Sequence, residues 1–139
     1  MALPTSIELR VVTPDRLIVK EAVDEIQIPG SEGYFGVLPG HTPFLTTLKV
    51  GMLSYREGAA WHHLAVEWGY AEVGPDRVVI LAEGADRASD IDLSEARLAK
   101  ERAEKTLSEK LERSDYEKAR IDLLRAMIRI QVAEKQGLK

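Results

Sequence analysis

A chain of 139 residues, 45% hydrophobic and 30% charged, can bury an ordinary core, either as one domain or as a small domain with an appendage. The absence of cysteine excludes disulfides, thiolate nucleophiles and Cys-based zinc sites, so any metal would need His and carboxylates alone. The net charge of −4 is uneven, with 7 Lys/Arg against 12 Asp/Glu up to residue 89 and 12 against 11 from residue 90; an acidic first part is a poor nucleic-acid binder, because phosphate neutralisation supplies most of that affinity.

Up to about residue 83 the apolar spacing is mostly two: Ile7, Leu9 and Val11, then Val23, Ile26 and Ile28, then Leu45 to Val50, Met52 to Tyr55, Leu64 to Val66, and Val78 to Leu81. Thr13-Pro14-Asp15, Lys49-Val50-Gly51, Glu57-Gly58-Ala59 and Gly74-Pro75-Asp76 break these runs. So many short strands predict a flattened β-sandwich or barrel of eight to ten strands. Between the second and third runs lies Ile-Pro-Gly-Ser-Glu-Gly-Tyr-Phe-Gly-Val-Leu-Pro-Gly-His-Thr-Pro-Phe-Leu, residues 28 to 45. Its glycines open conformations closed to other residues and its prolines fix φ and remove donors, so it cannot be a helix. Tight turns alternating with short apolar pieces place it at the rim of a sheet.

Gly84 to Asp90 reads as a polar connector able to act as a hinge, and at Asp92 the period becomes helical. Asp92 with Glu95 forms a capping-box pattern, predicting a helix from about Leu93 to Leu111. Ser114 with Glu117 repeats it and opens a second helix to about Lys135, stopped by Gly137. A short turn between them makes the pair antiparallel. The domains are therefore a β-sandwich over 1–85, a connector over 86–92 and a helical hairpin over 93–139. The first helix offers a narrow seam of Ala96, Ala99 and Ala103 ending in Leu107 and Leu111. The second carries two stripes: Tyr116, Ala119, Leu123, Ala126, Ile130 and Ala133, and on another side Ile121, Leu124, Ile128 and Val132. The alanine seam covers one stripe. At about 1.5 to 3 kcal/mol per fully buried Leu or Ile, the other should dock on the β-domain, on another protein, or on each in turn. The outward faces carry Arg97, Lys100, Arg102, Lys105, Lys110, Arg113, Lys118, Arg120, Arg125 and Arg129 interleaved with acids.

The pattern Pro-Gly-x-x-Gly-x-x-Gly-apolar-Leu-Pro-Gly-His-x-Pro-apolar from Pro29 to Phe44 resembles the epsilon subunit of bacterial and chloroplast F-type rotary ATP synthases. So do Glu21 to Ile26 before it, Gly69-Tyr70-Ala71-Glu72-Val73 after it, and the two-helix tail; together they cover nearly the whole chain. One departure is Trp68, where that family usually has a second glycine, which bears on the local strand geometry. The resemblance implies a central-stalk subunit that clasps the gamma subunit and rests on the membrane rotor c-ring. It implies contact with the catalytic alpha/beta hexamer through mobile C-terminal helices that oppose ATP hydrolysis. It also implies a peripheral place on the cytoplasmic face of a bacterial plasma membrane, or the stromal face of a thylakoid. Glu32, Tyr34, Phe35 and His41 are the implied rotor-ring contacts, and Ile121, Leu124, Ile128 and Val132 the hairpin docking stripe.

An active site of the chain's own is not expected. His62 and His63 are adjacent in a strand and point to opposite faces. His41, in the glycine-rich loop, could pair with Glu32 but has no nucleophile or metal-ligand repeat beside it. No phosphate-loop or dinucleotide glycine spacing precedes a helix. Some similar subunits bind ATP between the tail helices through Ile/Leu-Asp-x-x-Arg-Ala and arginines of the second helix. Here the match is partial, since Leu93-Ser94-Glu95-Ala96-Arg97-Leu98 has Ser94 and Leu98 where Asp and Ala belong. Arg125 and Arg129 keep the one-turn spacing suited to a polyphosphate, and Glu83 and Arg102 complete the implied regulatory ATP set. Neither a required cofactor nor a metal is expected. The rival reading is a stand-alone β-sandwich binding module with a helical oligomerisation arm. The N-terminal Met1 to Thr5 lacks the basic-then-apolar order of a signal peptide, and no run of about 18 apolar residues appears, so the chain is expected to be soluble and on the cytosolic side.

Overall fold

The computed structural model describes residues 3–137 as eight strands, a short 3-10 turn and two helices. The strands are β1 (Ile7–Val12), β2 (Leu17–Val23), β3 (Glu25–Gly30), β4 (Gly33–Val37), β5 (Phe44–Leu48), β6 (Gly51–Glu57), β7 (Ala60–Val73) and β8 (Arg77–Arg87). Strand order is β2-β1-β8-β7-β5-β3-β4, with β6 pairing β3 and β7; only β1 with β8 is parallel among the described pairs. The count falls at the low end of the expected eight to ten because β7 and β8 run unbroken through both layers. β5 and β6 oppose β7 in one continuous register, from Phe44↔Val73 to Glu57↔Ala60, so residues 44–73 form one long bent hairpin.

Alternation places Ile7, Leu9, Val11, Ile26, Ile28, Leu53, Leu64, Val66, Val78 and Ile80 inside, each at most 1% exposed. That core is built only from β-domain residues. By itself it can supply the apolar burial on which the domain's stability rests.

The 28–45 run becomes β3, a two-residue turn at Ser31 and Glu32, β4, and a turn closed by the His41 amide on the Leu38 carbonyl at 3.1 Å. In the second turn Pro39 precedes Gly40, whose φ of +89° is the left-handed value that a type II turn requires at that position.

The 3-10 turn spans Ala88–Asp90 and leads through Ile91 and Asp92 to α1 (Leu93–Leu107) and then α2 (Arg113–Lys135). Asp92 caps α1 by accepting from the Glu95 amide at 3.1 Å, as expected, but α1 stops four residues before Leu111. α2 opens with Glu112 as its N-cap and no side-chain cap; Ser114 and Glu117 lie inside the helix, so the second capping box is not formed. Gly137, at φ +88°, follows the C-cap as expected. The connector also differs. Gly84 to Arg87 pair with Glu67 to Leu64 and belong to β8, which shortens the link to residues 88–92. Its polarity has a packing cause: Glu67 lies across Gly84, where an added Cβ would meet Glu67 Oε1 at 2.8 Å.

Candidate functional site: the seat of the helical hairpin

The two helices pack antiparallel through the small residues, with Ala96, Ala103, Ala119, Ala126 and Ala133 all buried. The other stripe of α2 rests on the outward face of β6 and β7. Val132 is fully enclosed beside Ala65 and Ala88, and Ile128 packs there with Met52 and Ile91. Docking is incomplete: Ile121 is half-buried, while Leu124 and Met127 are 42% and 48% exposed. The apolar seat is thus much smaller than the sandwich core, and polar contacts hold much of the interface.

Three polar contacts run along α2. Near its middle, Arg125 Nε donates to Glu67 Oε2 at 2.7 Å, and its guanidinium lies 5.1 Å from the Trp68 ring centroid. One turn on, Arg129 donates twice to Asp86 Oδ2, at 2.9 and 3.2 Å. At the C-terminal end the Gln136 side chain accepts from the His63 amide at 2.8 Å and donates to the Trp61 carbonyl at 3.0 Å. Each partly exposed ion pair contributes only about 0.2–1 kcal/mol, so the hairpin is held by several weak, separable links.

β7 is shaped to present this seat. At Trp68 and Gly69 φ turns positive, +45° and +119°, and Trp68 is the one such non-glycine among the described residues. The departure at Trp68 therefore has a structural consequence: a bulky residue in the left-handed region costs about 1–2 kcal/mol. The Arg125 cation over its ring offsets part of that, about 0.5–1 kcal/mol for a partly exposed pair.

Sequence reading did not find Glu67, Trp68, Asp86 or Gln136 as hairpin contacts. Nothing in their local pattern marks them; the contacts join residues 43 to 75 apart in sequence. His62 and His63 do face opposite ways. His62 stacks on Tyr55 with centroids 5.0 Å apart, and His63 is buried against Ser54, Nδ1 to Oγ 2.7 Å. Burial holds the His63 imidazole below its usual range, with the charges of Lys135 and His62 acting the same way.

Between α1 and α2 lies a cavity of about 660 Å³ lined by Arg102, Arg125, Arg129, Lys118, Glu67, Asp115 and Asp122 among others. Of the five residues expected around a nucleotide, three converge here and two do not. Arg97 instead faces Glu134 at 3.5 Å, and Glu83 lines a smaller neighbouring cavity of about 230 Å³ that shares Glu67 and Arg129. The converging arginines already have acids, since Arg102 pairs with Glu95, Arg125 with Glu67 and Asp122, and Arg129 with Asp86.

The four expected rim residues are dispersed as well. Glu32 sits in the β3–β4 turn and His41 beyond the other end of β4, so the five-residue strand separates them by about 17 Å of extended chain. His41 Nδ1 bonds the Thr42 carbonyl at 2.6 Å and makes no pair with Glu32. Tyr34 is outward, 50% exposed, with its hydroxyl accepting from the Met52 amide at 2.9 Å and Lys49 over its ring. Phe35 turns inward, packing on the core and edge-on to Phe44 at 5.3 Å. An alternating strand cannot point both Tyr34 and Phe35 at one partner.

On the opposite layer from the hairpin, register aligns Thr47, Tyr70, Leu81, Val12 and Leu17 in one outward row across β5, β7, β8, β1 and β2. Tyr70, Leu81 and Leu17 are 55%, 49% and 52% exposed, and Leu45 in the adjacent row is 67% exposed. A contiguous apolar strip left open on a sheet face marks an interaction surface.

Residues 6–88 match the family described as ATP synthase, Delta/Epsilon chain, beta-sandwich domain, and residues 89–134 match its long alpha-helix domain. The chain is 51% identical over 132 residues to ATP synthase epsilon chain 2 of Syntrophotalea carbinolica, covering 94% of this chain and 96% of that one. It is 47% identical over 127 residues to the ATP synthase epsilon chain of Nitratidesulfovibrio vulgaris strain DP4, covering 91% and 95%. A chain in the Euglena gracilis mitochondrial ATP synthase, solved as OSCP, F1 and c-ring, superposes with a TM-score of 0.81 at 27% identity, over 97% of this chain and 83% of that one. One in the central stalk and c-ring of the Tetrahymena thermophila enzyme shares the fold at a TM-score of 0.61 and 17% identity, over 91% and 96%. With both halves of the described fold matched in order and half the residues identical to bacterial relatives across nearly their full length, the chain belongs to the ATP synthase epsilon chain family.

Proposed function

We propose that the chain is the central-stalk subunit of a proton-translocating rotary ATP synthase, transmitting rotation to the gamma subunit and restraining ATP hydrolysis through its helical hairpin, with no chemistry of its own. One observation carries this reading. The sandwich has two unlike faces, one occupied by a hairpin on separable contacts and one displaying an open apolar row through Tyr70, Leu81 and Leu17. The open row suits a permanent partner, the gamma shaft. The occupied face suits a ligand that leaves, the hairpin moving toward the catalytic alpha/beta hexamer. The Glu32–Tyr34 turn serves as the contact with the rotor c-ring, Phe35 and His41 hold the rim's shape, and membrane attachment runs through that ring at the cytoplasmic face of a bacterial plasma membrane. Leu81→Glu, on an exposed outward position, is expected to leave the isolated chain folded by circular dichroism while losing co-purification with gamma. Retained gamma binding, or self-association through the hairpin with no stalk partner, would remove the reading.

The interhelical cavity supports a regulatory nucleotide as a second role. Arg102, Arg125, Arg129 and Lys118 supply the cations for a polyphosphate once their present acid partners yield. Binding is expected to be weak, because Glu67, Asp115 and Asp122 line the same space and oppose an anion. Isothermal titration of the full chain with ATP should give binding that Arg125→Ala and Arg129→Ala each reduce about tenfold or more, the loss of one charged hydrogen bond at 1.5–3 kcal/mol. Affinity unchanged from the parent chain in both variants would exclude this cavity.

A further inference from the structure

The C-terminal end of α2 closes a gap in the sheet. At Trp61 to His63, β7 pairs with β6 on one side, while β8 reaches only as far as Leu64 on the other. That leaves an edge where an amide and a carbonyl, two residues apart, look for a neighbouring strand. The Gln136 side chain, itself an amide, fills the place of a peptide group, with Oε1 taking the His63 N–H and Nε2 giving to the Trp61 carbonyl. His63 itself is 7% exposed and lines the same cleft as Gln136, and its ring hydrogen-bonds to Ser54.

The charges around that ring are mostly positive. β7 brings His62 and β8 brings Arg87 to the 300 Å³ cleft that Tyr55 of β6 and Gln136 also line, with Glu21 of β2 the one carboxylate lining it, while Lys135 of α2, exposed beside Gln136 in the chain, acts on the ring through its charge. A proton placed on His63 while Gln136 is seated is therefore buried within reach of the Lys135 charge and without a carboxylate bonded to it. Leaving the seat carries Lys135 away and opens the ring to water.

We propose that Gln136, seated on the His63 amide with the Lys135 charge next to it in the chain, forms an acid-released latch, so that protonation of the imidazole frees the C-terminal end of the hairpin from the sandwich. This rests on the hairpin being the mobile element of the proposed function and adds the signal that releases it. The direction follows from linkage. The docked state holds His63 below the ordinary value of about 6.5 and the undocked state returns it toward that value, so the undocked state binds more protons between the two. Docking is strongest above about pH 6.5 and is lost as pH falls toward the docked value, by up to tenfold in the docking constant per pH unit.

The cysteine-free chain makes the test direct. Fluorophores on Lys20→Cys and Glu117→Cys, both exposed, report the hairpin-to-sandwich distance in the full-length subunit between pH 7.5 and 5.5. The docked fraction should fall with acid in the parent, stay level in His63→Gln, and fall less steeply in Lys135→Gln, which alters only an exposed helix position. A parent insensitive to pH, an equal titration in His63→Gln, or an unchanged slope in Lys135→Gln overturns the latch. Because this readout needs no partner subunits, a failed latch with hairpin deletion still stimulating hydrolysis would leave the proposed function standing.

Discussion

Ending the chain after Ser89 is expected to raise ATP hydrolysis by the reconstituted complex severalfold while leaving assembly and synthesis in place. The structural reason is the separation of cores. The main cluster contains only sandwich residues, and the part shared with the hairpin is a small satellite around Ala65, Ala88 and Val132. Removing α1 and α2 exposes that satellite and the seat on β6 and β7, but it opens no cavity in the main core, so the sandwich should fold and bind its partners. What is lost is the charge-dense arm, with its exposed Leu124, Met127 and Tyr116, that the docked state leaves available to another surface. The measurement is steady-state ATPase activity beside ATP synthesis in the same vesicles. Unchanged hydrolysis with normal assembly would remove the regulatory half of the proposal.

Gly69→Ala is expected to be the most damaging single substitution in the sandwich. A Cβ at this position would stand 1.9 Å from the Leu81 carbonyl oxygen, and the φ of +119° is one that L residues rarely adopt. Both costs fall together. Positive-φ strain of about 1–3 kcal/mol adds to an overpacking cost of about 1–3 kcal/mol, because the obstacle is backbone and the β7–β8 ladder at Gly69↔Ala82 must part. A fall in Tm of about 10 °C or more follows for a domain of this size. Gly58→Ala is the control. It also has a positive φ, +60°, but meets nothing within 4 Å, so its fall should be well under half as large. Equal shifts for the two would mean that the close approach at Leu81 relaxes freely.

How much of this was legible follows from which interactions are local. Period-two spacing identified the β-domain, and the Asp92 cap and Gly137 stop marked real helix ends, because a strand's alternation and a helix terminus depend on neighbours in sequence. The same local logic misplaced the connector, since Gly84 to Arg87 look like a polar linker until Glu67 and Arg129 are seen to be what their polarity serves. Ser114 and Glu117 satisfy a capping pattern that Glu112 pre-empts by starting α2 earlier.

The amino-acid order by itself determined an acidic strand-built body, a rim shaped by glycine and proline, and an amphipathic helical pair with more apolar surface than its own seam could cover. It also carried the family, through motifs whose spacing survives in one dimension. Only the tertiary structure decided where the second stripe rests and which side chains hold it: Glu67 and Trp68 under Arg125, Asp86 under Arg129, the β7 edge under Gln136. It also decided that the expected rim and nucleotide sets are each only partly assembled. These are pairings across dozens of residues between polar groups whose sequence neighbourhoods are ordinary. Their partners are set by strand register and helix placement, which exist only once the sheets have closed.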